Sequence, residues 1–366
     1  MKRVLIIAGG LQRGGAERVA ANISKYADRD HFQFDYLVFE GIENVYGEEI
    51  ERMGGSVITV KSPSCGYGAY LRTLVSLMRK NNYCAVHSHT MFNSGLNLLA
   101  ALFCGIKCRI AHSHTTKTET KVSIPQKIYE QLMRMTILLC STRLFACGEE
   151  AGSWLFGKRA FRKKGTVIKN GIDVNMFAFS GECREKIRKM YGIENAFIIG
   201  HSGTLLPLKN QLFLIKRMPE ILRHCPNAVL LLIGGGEAEY TRELKQMAIE
   251  NGVADKVFFC GAVDNVCEYL SALDVFAFPS LREGTPLALI EAQSNGLPCI
   301  VSDCVPADAK LTQLVKSLPL TEPQAWVHAL CAASREKPEM YTYLVRESGY
   351  SAQEAYKPIY EAYLGE

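Results

Sequence analysis

Glu283 and Glu291 lie in the stretch PSLREGTPLALIEAQSNGLP, with seven residues between them. The stretch reads as a strand end, a Gly/Pro turn and then a helix. Pro286 suits the first helical position, where a missing N–H costs nothing, and Thr285 suits the cap before it. A helix start presents unpaired N–H groups and a partial positive charge, and both attract phosphate. Gly284 lets a ligand come close to the backbone. One carboxylate would precede this phosphate site, and the other would lie about one and a half turns into the helix. A carboxylate accepts two hydrogen bonds from a pair of sugar hydroxyls. The arrangement suits a sugar nucleotide, with one Glu on a sugar, amides on a diphosphate and one Glu on a ribose. Two surface glutamates on an ordinary helix would show the same spacing.

Other candidates stand where apolar runs end. The first run is followed by GGLQRGGAER, so Gly14 and Gly15 precede a helix near Ala16. That is a second helix start with room for phosphate or sugar, or a tight structural turn. It is not the dinucleotide pattern G-x-G-x-x-G. FIIGHSGTLLPLKNQ places Lys209 just before a helix, where it could neutralise a diphosphate or simply be solvated. LLLIGGGEAEY puts Gly234–Gly236 after a strand, either for a nucleoside to lie on or as a turn. Two H-S-H triplets, His87–His89 and His112–His114, end two strands. Residues i and i+2 share a strand face, so each triplet presents two imidazoles together. No acidic or cysteine ligand completes a familiar metal spacing, so no metal is expected. Instead, one or two of these histidines should donate hydrogen bonds into a cleft, or all should be satisfied strand-end residues. His114 is the first choice, because Thr115 and Thr116 follow it in a polar loop. Asp28-Arg29-Asp30 has the D-x-D form of metal-dependent sugar transferases but reads as a solvated turn.

The elements that must position these residues are legible as alternation. Apolar runs at Val4–Ala8, Phe34–Val38, Val57–Val60, Cys84–His87, Arg109–His112 and Leu144–Ala146 are separated by helical patterns. The stretch Phe161–Gly181 is looser and reads as a crossing between domains. Runs at Phe197–Gly200, Val229–Ile233, Val257–Cys260, Val275–Ala277 and Cys299–Val301 then repeat the alternation. This is a doubly wound α/β pattern, given twice. The expected domains are 1–176, 177–350 and a terminal helix, 351–366, returning to the first. Ligands in such sheets bind beyond the C-terminal strand ends, so a cleft between the two domains is the expected site.

Composition agrees with an enzyme of about two domains. The chain has 366 residues, 48% hydrophobic and 22% charged. A net charge of +5 and the absence of interleaved basic and aromatic residues argue against nucleic acid. No apolar run reaches the ~18 residues of a membrane span. The N-terminal run is too short for a signal-peptide core, which points to the cytoplasm. Thirteen cysteines with no C-x-x-C pair read as reduced, small, buried hydrophobes. The segment KVSIPQKIYEQLMRM sets Lys121, Lys127 and Arg134 around Ile124, Ile128, Leu132 and Met135. It could lie on anionic lipid, or cover the sheet with a solvated basic face.

GGAER, VIKNGIDVNMF, GTLLPLKNQ, LLLIGGGE, VFFCGAV and EGTPLALIEA, in that order over essentially the whole chain, resemble glycosyltransferase family 4. RIAHSHTT, LPCIVSD and the tail AKLTQLVKSLPL resemble its bacterial exopolysaccharide and capsule branch. The resemblance implies the GT-B fold, two Rossmann-like domains facing across a cleft. It implies retaining, metal-independent sugar transfer from a nucleotide sugar, with UDP the leading choice and no cofactor. Glu283 would touch the donor sugar, Glu291 would hold the ribose diol, and Lys209 the diphosphate. The backbone at Gly284, Thr285, Pro286 and Leu287 would cradle phosphate. Gly15 would approach from the first domain, and His114 would face the donor sugar. The acceptor implied is an undecaprenyl-diphosphate-linked saccharide at the inner face of the cytoplasmic membrane, where the protein would be peripheral. One departure matters: the family has arginine where this chain has Thr204. A catalytically weakened nucleotide-binding partner subunit is therefore the alternative. A nucleotide-dependent oxidoreductase fits two α/β domains but lacks the dinucleotide fingerprint.

Overall fold

The computed structural model describes residues 1–12, 15–115, 123–335 and 339–365. The chain forms two compact units, Met1–Gly171 with Ala352–Glu366, and Ile172–Ser351. Unit 1 has strands β1 (Lys2–Gly9), β2 (Phe32–Phe39), β3 (Ser56–Val60), β4 (Ala85–Ser88), β5 (Cys108–Ser113), β6 (Arg143–Ala146) and β7 (Gly165–Val167). Its helices are α1 (Gly15–Lys25), α2 (Gly47–Arg52), α3 (Tyr67–Asn81), α4 (Ser94–Phe103), α5 (Ile124–Cys140), α6 (Glu149–Phe156) and α7 (Lys158–Lys164). The sheet order is β3-β2-β1-β4-β5-β6-β7, and every pairing is parallel.

Unit 2 has β8 (Phe197–Ser202), β9 (Ala228–Ile233), β10 (Val257–Gly261), β11 (Val275–Phe278), β12 (Cys299–Ser302) and β13 (Val315–Leu318). Its helices are α8 (Gly181–Tyr191), α9 (Gln211–His224), α10 (Ala238–Glu250), α11 (Val266–Ala272), α12 (Leu287–Ser294), α13 (Pro323–Cys331) and α14 (Glu339–Val345). The order is β10-β9-β8-β11-β12-β13, again all parallel. The chain then returns to unit 1 through α15 (Ala352–Ala355) and α16 (Lys357–Leu364).

Parallel strands need both faces covered, which is why they read as unbroken apolar runs. Along β1, Leu5 and Ile7 join a core with Leu74, Leu98 and Ile137. Val4 and Ile6 join the opposite core, with Val19, Phe34 and the returning Tyr356, Ile359 and Tyr363. The terminal helix is tied down by Tyr360 Oη, which donates to the Ile23 carbonyl at 2.8 Å. In unit 2, Leu231 and Ile233 face one core and Leu230 and Leu232 the other.

The structure adds elements that the apolar pattern lacks. β7 falls inside the stretch read as a crossing, and β13 has the sequence VKSL. Both are short edge strands with exposed residues, so neither carries the apolar signature of a buried strand. All thirteen cysteines are free thiols. Among the described residues, no helix is long and apolar enough to cross a membrane.

Candidate active site

Each sheet reverses its winding at one point, between β1 and β4 in unit 1 and between β8 and β11 in unit 2. Loops leave the strands there in opposite directions and open a crevice. The candidate residues gather at these two places.

In unit 2, β8 runs into Gly203, Thr204 and a single 3-10 turn, Pro207–Lys209. Asn210 follows with φ +56°, and α9 begins at Gln211. The loop after β11 carries Glu283. Lys209 Nζ donates to Glu283 Oε1 at 2.7 Å. The ammonium also lies 5.3 Å from the centre of the Phe278 ring. Lys209 and Glu283 are 74 positions apart, yet they meet because β8 and β11 are neighbours. Two further bonds join the loops: the Leu281 N–H donates to the Leu208 carbonyl at 2.8 Å, and Asn210 Nδ2 to the Pro279 carbonyl at 3.2 Å. Sequence reasoning missed Asn210, although it sits inside the quoted LKNQ. The available signal was the residue type, since Asn tolerates the left-handed backbone found there.

Below the loops, His201 is fully buried. Its Nδ1 lies 3.0 Å from the Ala277 carbonyl and so carries the proton. Its Nε2 then accepts from Gln211 Nε2 at 3.2 Å, and the same amide nitrogen donates to the Thr204 carbonyl at 3.0 Å. Burial lowers the His201 pKa to about 4, so the imidazole is neutral. This neutral chain fixes the backbone at Thr204.

α12 begins one residue later than the sequence implies. Pro286 is the cap, Leu287 the first helical residue, and Thr285 stands one place before the cap. No side chain caps this helix. The Pro286 carbonyl accepts from the Leu289 and Ile290 N–H groups at 3.0 and 3.3 Å, and the Thr285 carbonyl accepts from Leu287 at 3.0 Å. Pro286 has ψ 84°, outside the helical region, and a residue that cannot donate loses nothing at a cap. Glu291 lies in the second turn and is only 3% exposed. It is therefore not a surface glutamate. A Cβ at Gly284 would meet nothing within 4 Å, so space is open there.

The Gly234–Gly236 run has a structural reason. Gly234 has φ +143°, and a Cβ there would sit 2.1 Å from the Gly203 carbonyl oxygen. A Cβ on Gly236 would sit 2.4 Å from the Leu205 carbonyl oxygen. The run is glycine because the loop after β9 packs backbone to backbone against the loop after β8.

In unit 1, Gly15 opens α1 and is exposed, with nothing within 4 Å of a Cβ there. Gly14 lies outside the described residues, as do Thr116 and Lys121. The two H-S-H triplets join into one stack, because β4 and β5 are adjacent. Ring centres of His87 and His89, and of His112 and His114, are 4.3 Å apart within each strand. Across strands, His87 Nε2 lies 3.1 Å from His112 Nδ1, and His89 Nδ1 lies 2.7 Å from His114 Nε2. Tyr363 Oη lies 2.6 Å from His87 Nδ1. Burial holds the Tyr363 phenol protonated, so Tyr363, His87 and His112 form one hydrogen-bonded chain whose direction follows the His87 tautomer. His87, His89 and His112 are buried and His114 partly so. The four imidazoles thus form one network, hydrogen-bonded across the strands and stacked along them, with His114 its partly exposed member. Burial, reinforced by neighbouring imidazoles, holds His89 and His112 well below the usual histidine range. It lowers His87 to about 3 and His114 to about 4. His87, His89 and His112 can each bring one ring nitrogen within 4.8 Å of the others, a donor set of imidazoles alone.

Asp28 forms an exposed turn, accepting from the Asp30 N–H at 2.9 Å and pairing with His31 at 2.8 Å. Its D-x-D sequence is that turn.

Two all-parallel Rossmann-like units, each with its polar residues at its own switch point, have the fold of the GT-B glycosyltransferases. The chain belongs to glycosyltransferase family 4. The model described as Glycosyltransferase Family 4 matches residues 13–176, and that described as Glycosyl transferases group 1 matches 196–335. EpsF of Bacillus subtilis, assigned as a glycosyltransferase, is 35% identical over 96% of this chain and 94% of its own. The capsular polysaccharide biosynthesis glycosyltransferase CapH of Staphylococcus aureus is 29% identical, over 86% and 85%. An Escherichia coli UDP-Gal:alpha-D-GlcNAc-diphosphoundecaprenol alpha-1,3-galactosyltransferase is 31% identical, over 64% and 61%. Among solved structures, Anabaena HepE in complex with UDP superposes with a TM-score of 0.79, at 18% identity and full coverage of both chains. The protein is a glycosyltransferase of polysaccharide biosynthesis.

Proposed function

We propose that this enzyme transfers a sugar from a UDP-sugar to a saccharide carried on a polyprenyl diphosphate, with retention at the anomeric carbon and without a metal. The observation that carries the reading is the Lys209–Glu283 pair at the unit 2 switch point, with buried Glu291 on the adjoining helix. Lys209 neutralises charge on the departing diphosphate, as a preorganised cation does in a low-dielectric site. Glu283 accepts from donor-sugar hydroxyls, and Glu291 takes the ribose diol. The backbone from Gly284 to Leu287 receives phosphate at the start of α12. Gly15 and His114 are the family-assigned contributions of unit 1. UDP is favoured because HepE binds it on the same fold, and the acceptor class because the Escherichia coli relative is named for a diphosphoundecaprenol acceptor. The protein would work peripherally at the cytoplasmic membrane face, where such acceptors lie.

Thr204 favours a second reading, a weakened transferase that serves as a partner subunit. The test is incubation with UDP-glucose, UDP-galactose and UDP-N-acetylglucosamine plus polyprenyl-diphosphate saccharides. A product whose new linkage keeps the donor's anomeric configuration, formed in the presence of a chelator, is the expected result. No product from any donor, with product appearing after Thr204→Arg, would establish the weakened reading.

A further inference from the structure

A cavity of about 580 Å³ lies within unit 2, lined by Phe179, Arg184, Phe197, Asp274, Ser334 and Arg335. Phe197 opens β8, and Asp274 immediately precedes β11. The loops of Lys209 and Glu283 leave the other ends of these two parallel strands. The cavity is therefore at the opposite end of the sheet from the Lys209–Glu283 pair. Its charge is unbalanced. Asp274 Oδ1 accepts from Arg184 Nη2 at 2.5 Å, and Oδ2 accepts from Arg188 Nη2 and the Ile198 N–H, both at 2.7 Å. Arg335 is a third guanidinium, and it bonds to no carboxylate. Its Nη2 donates to the Leu270 and Leu273 carbonyls at 3.1 Å each and to Asn295 Oδ1 at 3.0 Å. Its Cζ lies 4.6 Å from the centre of the Phe179 ring. Among the described residues, Asp274 is the only carboxylate that lines the cavity. Burial, and after it the charge of Arg184, pulls the Arg335 pKa down to about 9.

Part of this arrangement is structural. All three arginines donate to carbonyls at the C-terminal end of α11, where cations are favoured. That accounts for Nη2 of Arg335 and not for the rest of its guanidinium. Nε and Nη1 of Arg335 are buried and have no hydrogen-bond partner among the described residues. Buried donors in folded proteins are nearly always paired, and a charged donor costs more than a neutral one to leave unpaired.

We propose that this cavity binds a phosphate dianion through Arg184 and Arg335, at a site separate from the nucleotide site. Three guanidiniums against one carboxylate leave two positive charges. A phosphate group carries about −1.5 to −2 at neutral pH and cancels them, whereas a single carboxylate would cancel one. A guanidinium also presents paired N–H groups that match two phosphate oxygens. The cavity volume falls within the range of about 300–1,000 Å³ usual for small-molecule sites, and the Phe197 wall is apolar. The phosphate is thus either the free ion or the phosphate of a small ester whose body lies against Phe197.

The test is isothermal titration calorimetry of the full chain with inorganic phosphate and, separately, with glucose 6-phosphate. Saturable binding that Lys209→Ala leaves in place is the expected result. Tighter binding of glucose 6-phosphate identifies an ester as the occupant, and equal or tighter binding of inorganic phosphate identifies the free ion. Arg335→Ala should weaken binding about ten- to a hundredfold, the loss of hydrogen bonds to a charged group. Arg335 also supports the end of α11, so Ser334→Glu is the companion variant. Ser334 is exposed, and the change keeps all three arginines while placing a competing carboxylate at the cavity. It should abolish binding without lowering the melting temperature. No saturable binding of either probe, binding lost in Lys209→Ala, or binding unaltered in Ser334→Glu would overturn the proposal. Phosphate binding here in a chain that binds no UDP would leave this site standing and refute the nucleotide-site reading alone.

Discussion

Lys209→Ala should lower the turnover of sugar transfer by about a hundred- to a thousandfold, the cost of removing one preorganised donor from a developing anion. The donor KM should change less, since the diphosphate still has the start of α12. The reason lies in the ground-state geometry. Glu283 Oε1 holds the ammonium 2.7 Å away, and the Glu283 side chain is only 7% exposed. The cation is thereby fixed at the switch point before any donor arrives and needs little reorganisation during reaction. Glu283→Gln keeps an oxygen for Lys209 but no charge, and should also slow transfer. A pair that only ties two loops together would behave otherwise. Both variants would then melt earlier and turn over normally, because the Leu281–Leu208 and Asn210–Pro279 bonds already hold the loops. Steady-state kinetics beside thermal melts separate the cases.

Stability should collapse on mild acidification. Four imidazoles of unit 1 refuse protons in the native state: His87 to about pH 3, His114 to about pH 4, His89 and His112 likewise far down. In the unfolded chain they accept protons from about pH 6.5. Across that window the unfolded state binds more protons, so stability is full above about pH 6.5 and falls as pH falls. Each such group contributes about 1.4 kcal/mol per pH unit, and four together about 5.5. A typical domain has about 5–15 kcal/mol in total. Unfolding of unit 1 between about pH 6 and pH 5 is the expected outcome of urea titrations followed by circular dichroism. His112→Gln should flatten the slope by about one group's share. A midpoint unchanged between neutral pH and about pH 5 would mean the stack takes up protons while folded.

Much of the fold is legible in the chain because a strand buried on both faces must be apolar throughout. Val229–Ile233 and Val4–Ala8 show this directly. Edge strands escape the rule, so GTV of β7 and VKSL of β13 carry no signal. The site was legible as residue types and not as contacts. Glu283 and Lys209 stand out at turns before helices and Glu291 inside one, but that Lys209 meets Glu283 depends on β8 lying beside β11. Strand order is a tertiary property. The histidines follow the same logic. Spacing i, i+2 puts each pair on one face, while the joining of two pairs and Tyr363 needs β4 beside β5 and α16 folded onto unit 1. Pro286 shows the limit of local rules, since cap and first-turn positions both tolerate a missing N–H.

The most direct test of the central claim, a donor-nucleotide site built on unit 2, is thermal unfolding with UDP, GDP, ADP, CDP and dTDP. A ligand that binds only the native state stabilises by about 2.7 kcal/mol at 100 times its dissociation constant. The account predicts a shift with UDP that Glu291→Ala abolishes, because the proposed role of that carboxylate is to hold the ribose. No shift with any diphosphate, or the same shift in Glu291→Ala, would contradict it.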